Sequence, residues 1–354
     1  YEVKTGLSGE ELKNVLASHD GAICRSGVKI TADVLAGNHR LRAIVRAGVG
    51  TDNIDKQAAT RQGIVVMNTP AGNTVSTAEH AFTLLLALSR NVAPADASLR
   101  EHRWDRSKYM GVQLAGKTLG IVGMGRIGQA VASRARAFDM RVVVYDPFLA
   151  AERAGELGVE LFGSVREMLP ELDYLTVHTP LTDDTRHLIG KDELSLLKPG
   201  VRLINCARGG IYDEEALLEG LESGVLAGAA LDVFETEPCT ESPLFGRPDV
   251  LVTPHLGAST EEAQSQVAIE GVNLLTDFLR TGTIRHSVNS SPIDPADLEG
   301  LRGFLDLGWR LGVLLSQLDD QPPKAVSIAY RGEIASRNTR LITAAFAAGL
   351  LETA

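Results

Sequence analysis

The sequence predicts an α/β protein organised around a doubly wound parallel sheet, and three observations carry the prediction. Apolar, β-branched runs alternate with helical patterns through the middle of the chain, as strands buried on both faces and linked by crossover helices do. A glycine-rich loop joins one of these runs to a helix. Polar and charged residues gather just beyond the carboxyl ends of the runs, the edge at which open α/β sheets bind ligands.

The first ninety residues offer three strands, "GAICRS" (21–26), "LRAIVRAG" (41–48) and "GIVVMNTP" (63–70). A long helix, "STAEHAFTLLLALSR" (76–90), follows, with Ser76 and Glu79 spaced as a capping box. The central series then runs strand "KTLGIVG" (117–123), helix "RIGQAVASRARAF" (126–138) and strand "RVVVYD" (141–146). Further strands are "DYLTVHT" (173–179), "VRLINC" (201–206), "LAGAALDVF" (226–234) and the buried-looking "VLVTPH" (250–255). Between them lies the helix "DEEALLEGLESG" (213–224), with Asp213 as its N-cap. A second capping box, Ser259 with Glu262, opens the helix over 261–282. Beyond it, "HSVNSSPIDP" (286–295) reads as a linker, followed by an amphipathic helix over 298–318 and the strand-like "KAVSIAYRGEI" (324–334). There is no internal repeat and no low-complexity tract.

At 354 residues the chain has room for two or three domains, each with its own core. Hydrophobic residues at 44% and charged residues at 23% describe a soluble globular protein. The net charge of −10 argues against a nucleic-acid partner, since such proteins present a basic face. "AFTLLLAL" (81–88) falls far short of the ~20 apolar residues of a membrane span, so no membrane partner is expected. Cys24, Cys206 and Cys239 stand at spacings that suit neither a disulfide framework nor a metal site. With no signal-peptide pattern at the start, a reducing, cytoplasmic setting is expected, and no metal.

The glycine loop is the most specific motif. Gly123, Gly125 and Gly128 stand in G-x-G-x-x-G spacing between a strand and a helix, and Asp146 ends the next strand, 18 positions beyond Gly128. Gly123 permits the tight turn, Gly125 lets a pyrophosphate approach the backbone, and Gly128 allows close helix–strand packing. The helix N-terminus supplies free N–H groups and partial positive charge to phosphates. Asp146 would accept from ribose hydroxyls, favouring NAD over its 2′-phosphorylated form. The competing reading, a glycine turn with a surface aspartate, does not account for strand, helix and acid occurring together.

Four segments place polar groups at the ligand edge. His178 and Thr179 follow "YLTV"; Cys206, Ala207 and Arg208 follow "RLIN"; Asp232 and Glu237 follow "AGAAL"; His255 follows "LVTP". Each has a bland alternative: a strand-end histidine, a solvated arginine, an acid in a turn. Together they match one chemistry. Oxidising a secondary alcohol needs a base near the working pH, which His255 supplies when Glu237 raises its pKa. A carboxylate substrate needs a cation, and Arg208 offers a bidentate clamp.

With those residues in view, the chain resembles the D-isomer-specific 2-hydroxyacid dehydrogenase family, nearest to its long-type members that oxidise 3-phospho-D-glycerate. "RAGVGTDNID", "NTPAGNTVSTAEH", "GKTLGIVGMGRIG", "NCARGGIYDEEAL", "GAALDVFETEP" and "TPHLGAST" carry the resemblance, over about residues 21–270. It implies a Rossmann-type doubly wound sheet inserted into a flavodoxin-like substrate domain, plus a partial C-terminal α+β lobe. The corresponding boundaries are 1–89 with 263–285 for the substrate domain, 90–262 for the NAD domain and 292–354 for the partial intervening domain.

By the same resemblance, Arg208, Glu237 and His255 stand at the catalytic positions. Gly123, Gly125, Arg126, Ile127, Gly128, Asp146, Thr179, Cys206, Ala207, Asp232 and Gly257 match cofactor-contacting positions, and Arg25, Arg46 and Asn73 match positions that hold substrate phosphate and carboxylate. The implied activity is NAD-dependent oxidation of a small anionic 2-hydroxy acid, 3-phospho-D-glycerate, to 3-phosphohydroxypyruvate in serine biosynthesis. "REHRWDRSKYMG" (100–111) resembles a dimerising arm from which Arg106 reaches a neighbouring active site, so a homodimer or homotetramer is implied. Alternatives on the same fold are a glycerate or hydroxypyruvate reductase and an NAD-sensing transcriptional corepressor. Three departures from the resemblance stand out: Val49 replaces a frequent threonine, the family's first βα unit is not expected ahead of "YEVK", and neither is a serine-binding regulatory domain after the partial lobe.

Overall fold

The computed structural model describes residues 1–290, 295–318, 325–337 and 339–351. Two parallel sheets organise it. The smaller has strands β1 (Gly21–Cys24), β2 (Ala43–Arg46) and β3 (Val65–Asn68), in the order β1-β2-β3. Helices α1 (Gly9–Ala17), α2 (Ala32–Leu35) and α3 (Lys56–Arg61) cover one face, burying Leu12, Leu35 and Ala59 against Ile44 and Val66.

The larger sheet has strands β4 (Thr118–Val122), β5 (Arg141–Tyr145), β6 (Glu160–Leu161), β7 (Tyr174–Val177), β8 (Val201–Asn205), β9 (Leu226–Leu231) and β10 (Val250–Val252). All seven run parallel in the order β10-β9-β8-β7-β4-β5-β6, so the winding reverses between β4 and β7. Alternate side chains leave a strand on opposite faces, and both faces are dry here. Leu119, Ile121, Val142, Val144 and Ile204 enter one core, while Val122, Val143, Leu175, Val177 and Leu203 enter the other. The first core is closed by α4 (Thr74–Ser89), which leads into α5 (Val92–Arg100), and by α6 (Arg126–Ala137). Helices α7 (Ala151–Leu157), α8 (Val165–Met168), α9 (Lys191–Leu194) and α10 (Glu214–Glu222) lie in the crossovers from β5 through to β9. From the second sheet, α11 (Glu261–Thr281) returns to the first, burying Leu274 and Phe278 against Ala43, Val45 and Met67.

The sequence reading and the structure differ at several points. The reading counts α4 with the first lobe, yet Ala81, Phe82, Leu85 and Leu88 pack into the larger sheet's core. Nor does a Ser76 box open α4: the helix starts at Thr74 with Asn73 as N-cap, and Ser76 Oγ donates instead to Gly257 O. α11 is capped one residue later than read, by Thr260, whose hydroxyl accepts from Ala263 N. β10 is a half-buried edge strand, not a buried one. The linker's first residues add to the edge of β3: Asn68 N donates to His286 O, and Val288 N to Val66 O. Residues 291–294 of that segment lie outside the described residues. Asp213 does cap α10, accepting from Glu215 N and Ala216 N.

The C-terminal segment pairs α12 (Pro295–Leu318) with α13 (Thr339–Leu351). The strand read over 324–334 does not form; residues 325–330 have no strand assignment and 332–336 make a 3-10 turn, while 324 lies outside the described residues. A β-run holds its shape only when a neighbouring strand satisfies its backbone, and among the described residues none pairs with it. No described helix is long and apolar enough to cross a membrane.

Candidate active site

Where the winding reverses, β4 runs into the glycine loop. Gly123 has φ +92°, and a Cβ there would lie 2.7 Å from His178 O, so only glycine fits the turn. A Cβ on Gly128 would lie 2.1 Å from Gly123 O, which lets α6 sit directly on the loop. Gly125, the N-cap of α6, differs: its Cβ would meet nothing within 4 Å, and no side chain caps the N–H groups of Arg126, Ile127 and Gly128. A bare loop with free N–H donors at a helix start suits a pyrophosphate. Asp146 closes the loop, its two oxygens accepting from Met124 N at 2.7 Å and Phe148 N at 2.8 Å. Thr179 and Ala207 lie half-buried at the ends of β7 and β8, with Cys206 buried beside them. The His178 Nδ1 atom is buried without a partner among the described residues, and burial pulls that imidazole down to about 4, so it is neutral at pH 7. These groups fit a dinucleotide.

His255 has a left-handed backbone, φ +55°, unusual outside glycine, and several bonds hold it there. His255 N donates to Asp232 O, while the buried Asp232 carboxylate accepts from Leu256 N at 2.7 Å, Gly257 N at 2.8 Å and Thr253 Oγ1 at 2.6 Å. The resulting turn presents the His255 ring to Glu237, with Nδ1 2.7 Å from Oε2. That hydrogen bond raises the imidazole's pKa from 6.5; burial opposes it, and the charges of Glu237 and Asp232 add to it. Burial pushes Glu237 the other way, but hydrogen bonds from His255 and Phe234 N, with the charges of His255 and Arg208, hold it below its ordinary 4.5. Among the described residues, Nε2 of His255 makes no hydrogen bond.

Arg208 bridges the two sheets. Its Nε donates to Asp52 Oδ2 at 3.0 Å, and a Cβ on Gly50 would lie 1.8 Å from one of its terminal nitrogens. Its charge acts on Glu237 and His255 on one side and on Arg46 on the other. Arg46 is held below the ordinary arginine value, chiefly by burial, with the positive charges of Arg208 and Arg25 adding to the effect, and its Nε is buried without a partner among the described residues. Positive charge gathered around Arg46 in this way can receive an anion. Arg25 donates to Gln264 Oε1. Among the described residues, Asn73 caps no N–H with its side chain, and its buried Oδ1 has no partner.

Sequence reasoning missed two groups here. His80 reaches from α4 to Asp232, and Asp52 holds Arg208 from the opposite lobe. Both lie inside quoted motifs, but their partners are 152 and 156 positions away, and spacing carries no trace of such a contact. The ligand atoms of His80, Cys206 and Asp232 also lie within 4.8 Å of one another. Four donors already occupy the Asp232 oxygens and burial raises the Cys206 thiol, so the cluster works as a hydrogen-bond network.

Comparison with known proteins bears on this arrangement. Residues 82–257 match the NAD binding domain of the D-isomer specific 2-hydroxyacid dehydrogenases, and residues 300–354 the D-3-phosphoglycerate dehydrogenase intervening domain. The D-3-phosphoglycerate dehydrogenase of Methanocaldococcus jannaschii is 44% identical over 350 residues, 99% of this chain and 67% of that one. Its Bacillus subtilis counterpart is 44% identical over 97% of this chain and 65% of its own length. The chain thus spans about two thirds of the length of these relatives. Among solved structures, a D-lactate dehydrogenase from Aquifex aeolicus complexed with NAD and lactic acid superposes with a TM-score of 0.70 at 30% identity, covering 79% of this chain and 89% of that one. A glyoxylate reductase from Paecilomyes thermophila gives 0.73 at 32% identity, covering 79% and 87%. The chain belongs to the D-isomer-specific 2-hydroxyacid dehydrogenases, NAD-dependent enzymes built on this pair of parallel sheets.

Proposed function

We propose that the protein oxidises 3-phospho-D-glycerate to 3-phosphohydroxypyruvate, the opening step of phosphorylated serine biosynthesis. One observation carries the reading: the Arg208 charge acts both on the His255–Glu237 pair and on Arg46, which the Arg25 charge also reaches. A substrate with a carboxylate at one end and a phosphate at the other matches those charges, and its hydroxyl would meet the imidazole. Similarity to D-3-phosphoglycerate dehydrogenases along nearly the whole chain supports the same substrate.

In this mechanism Arg208 binds the substrate carboxylate and sets the carbinol carbon. Arg46, Arg25 and Asn73 receive the phosphate and the remaining oxygens. His255, neutral before reaction, takes the hydroxyl proton on Nε2, and Glu237 stabilises the imidazolium that forms. The glycine loop, with Arg126, Ile127, Asp146, Thr179, Cys206, Ala207, Asp232 and Gly257 around it, would hold NAD, which would supply the hydride acceptor. Free cysteines suit a cytoplasmic setting. The arm before β4, with Trp104 81% and Met110 85% exposed, suits a homo-oligomer closed by that segment.

The test is NADH formation from 3-phosphoglycerate with the product trapped. His255→Ala should lose about 10²- to 10⁴-fold in kcat while NADH still binds; retained turnover removes His255 from the chemistry. Unphosphorylated glycerate should be the poorer substrate, and Arg46→Ala should narrow that preference. Equal losses on both substrates would count against phosphate recognition.

A further inference from the structure

One face of α4 reaches the turn that carries His255. Ser76 Oγ donates to Gly257 O at 2.8 Å, and a Cβ on Gly257 would lie 3.3 Å from the Thr77 methyl. One turn further along, His80 Nε2 stands 3.2 Å from Asp232 Oδ1 and 3.1 Å from Thr253 Oγ1. A carboxylate only accepts, and the Thr253 hydroxyl already donates to Oδ1 at 2.6 Å, so the imidazole must hold its proton on Nε2. The other donors to Asp232, namely Thr253, Leu256 N and Gly257 N, all belong to the turn itself and move with it. Among the described contacts, His80 is the donor that ties this carboxylate to a helix of the core.

We infer that His80 is a positioning residue: it anchors Asp232 to α4, so that the turn over 253–257 holds the His255 ring against Glu237. Ser76 tethers the far end of the turn and His80 its centre. The Asp232 main chain continues the same support, accepting from His255 N and donating to Asn205 O of the adjacent strand. A left-handed histidine persists only where its surroundings over-determine it, and His80 supplies the constraint that the turn cannot supply for itself. The consequence for hydride transfer rests on the reading of His255 as acid–base. The consequence for the turn does not.

Three variants of the full chain separate the possibilities. His80→Leu removes the donor, His80→Gln keeps an N–H near the same place, and His80→Ala replaces the leucine variant should that one fail to fold. Amide exchange at Leu256 and Gly257 should quicken by about tenfold in the leucine variant, the factor one buried charge-assisted hydrogen bond supplies, with β4 and β7 unchanged. In parallel, kcat should fall by about tenfold with the substrate KM within about twofold, as for lost transition-state alignment. The glutamine variant should recover most of both. Unchanged exchange, unchanged kcat, or a glutamine variant as impaired as leucine in both readouts would each overturn the assignment. Wild-type protein that forms no NADH from phosphoglycerate would instead defeat the proposed substrate, and the exchange experiment would still decide what His80 holds.

Discussion

The His255–Glu237 bond shows how one contact serves catalysis and folding at different pH. Oxidation needs the neutral imidazole, so kcat/KM should fall as pH drops through a His255 pKa raised above 6.5. Glu237→Gln removes both the hydrogen-bonded carboxylate and its charge, leaving burial and Arg208 to press downward against the Asp232 charge alone, so the acid limb should move to lower pH. A limb that stayed in place would show that something else titrates. The folding contribution runs the other way. A raised histidine stabilises fully below its unfolded pKa and loses that contribution as pH climbs through the folded one; a depressed glutamate stabilises above 4.5 and loses it as pH falls. The pair therefore holds the turn best between those limits, at a pH below that at which the base works best. All three catalytic candidates were legible in the sequence because each follows a strand. His80 and Asp52 were not, since a helical histidine and a loop aspartate give no local sign of a partner across the fold.

Elements were legible wherever local pattern and tertiary packing agree. The central strands come out within two or three residues because both faces are dry and their apolar runs are unbroken. Caps were misread where a side chain serves a distant group: Ser76 leaves its own helix for Gly257 O, and Asn73 takes the N-cap without a side-chain bond. β10 looked buried because its composition is apolar, yet an edge strand has a sheet neighbour on one side only. The glycine loop allows a sharper element-level test, since two of its glycines are required for different reasons. Gly128→Ala would force a Cβ to 2.1 Å from Gly123 O, costing about 1–3 kcal/mol of stability and shifting the thermal midpoint downward. Gly125→Ala meets open space at φ −66°, so the unliganded fold should keep its stability within about 0.5 kcal/mol. Affinity for NADH should nonetheless fall, because the added methyl occupies the approach of the pyrophosphate. Thermal melts with and without NADH check both, and a Gly125→Ala variant that binds normally would place the phosphates elsewhere.

Across the whole molecule, the site is assembled by segments that pass between the two sheets. Arg208 reaches Asp52, Arg25 reaches Gln264, and α11 runs from the His255 turn to the underside of the first sheet. Every residue named in the chemistry lies between Arg25 and Gln264, whereas α12 and α13 pack chiefly on each other. That pairing depends on small residues. A Cβ on Gly312 would lie 2.1 Å from Phe346 O, and one on Gly349 would lie 2.0 Å from Trp309 O, so the two helix backbones approach closely. The amphipathic pattern announced α12, but the closeness of the pair depends on a residue 37 positions beyond Gly312 and was invisible. Independence of the two parts follows from this packing. Gly312→Val should force the helices apart, because a backbone oxygen cannot give way as a flexible side chain can. Proteolysis of the C-terminal segment should then quicken, while kcat and KM stay within about twofold of wild type, as expected for a site that shares no contact with the change. A loss of turnover that tracks the loss of helix packing would mean that the hairpin supports the active site, and the division drawn here at the end of α11 would fail.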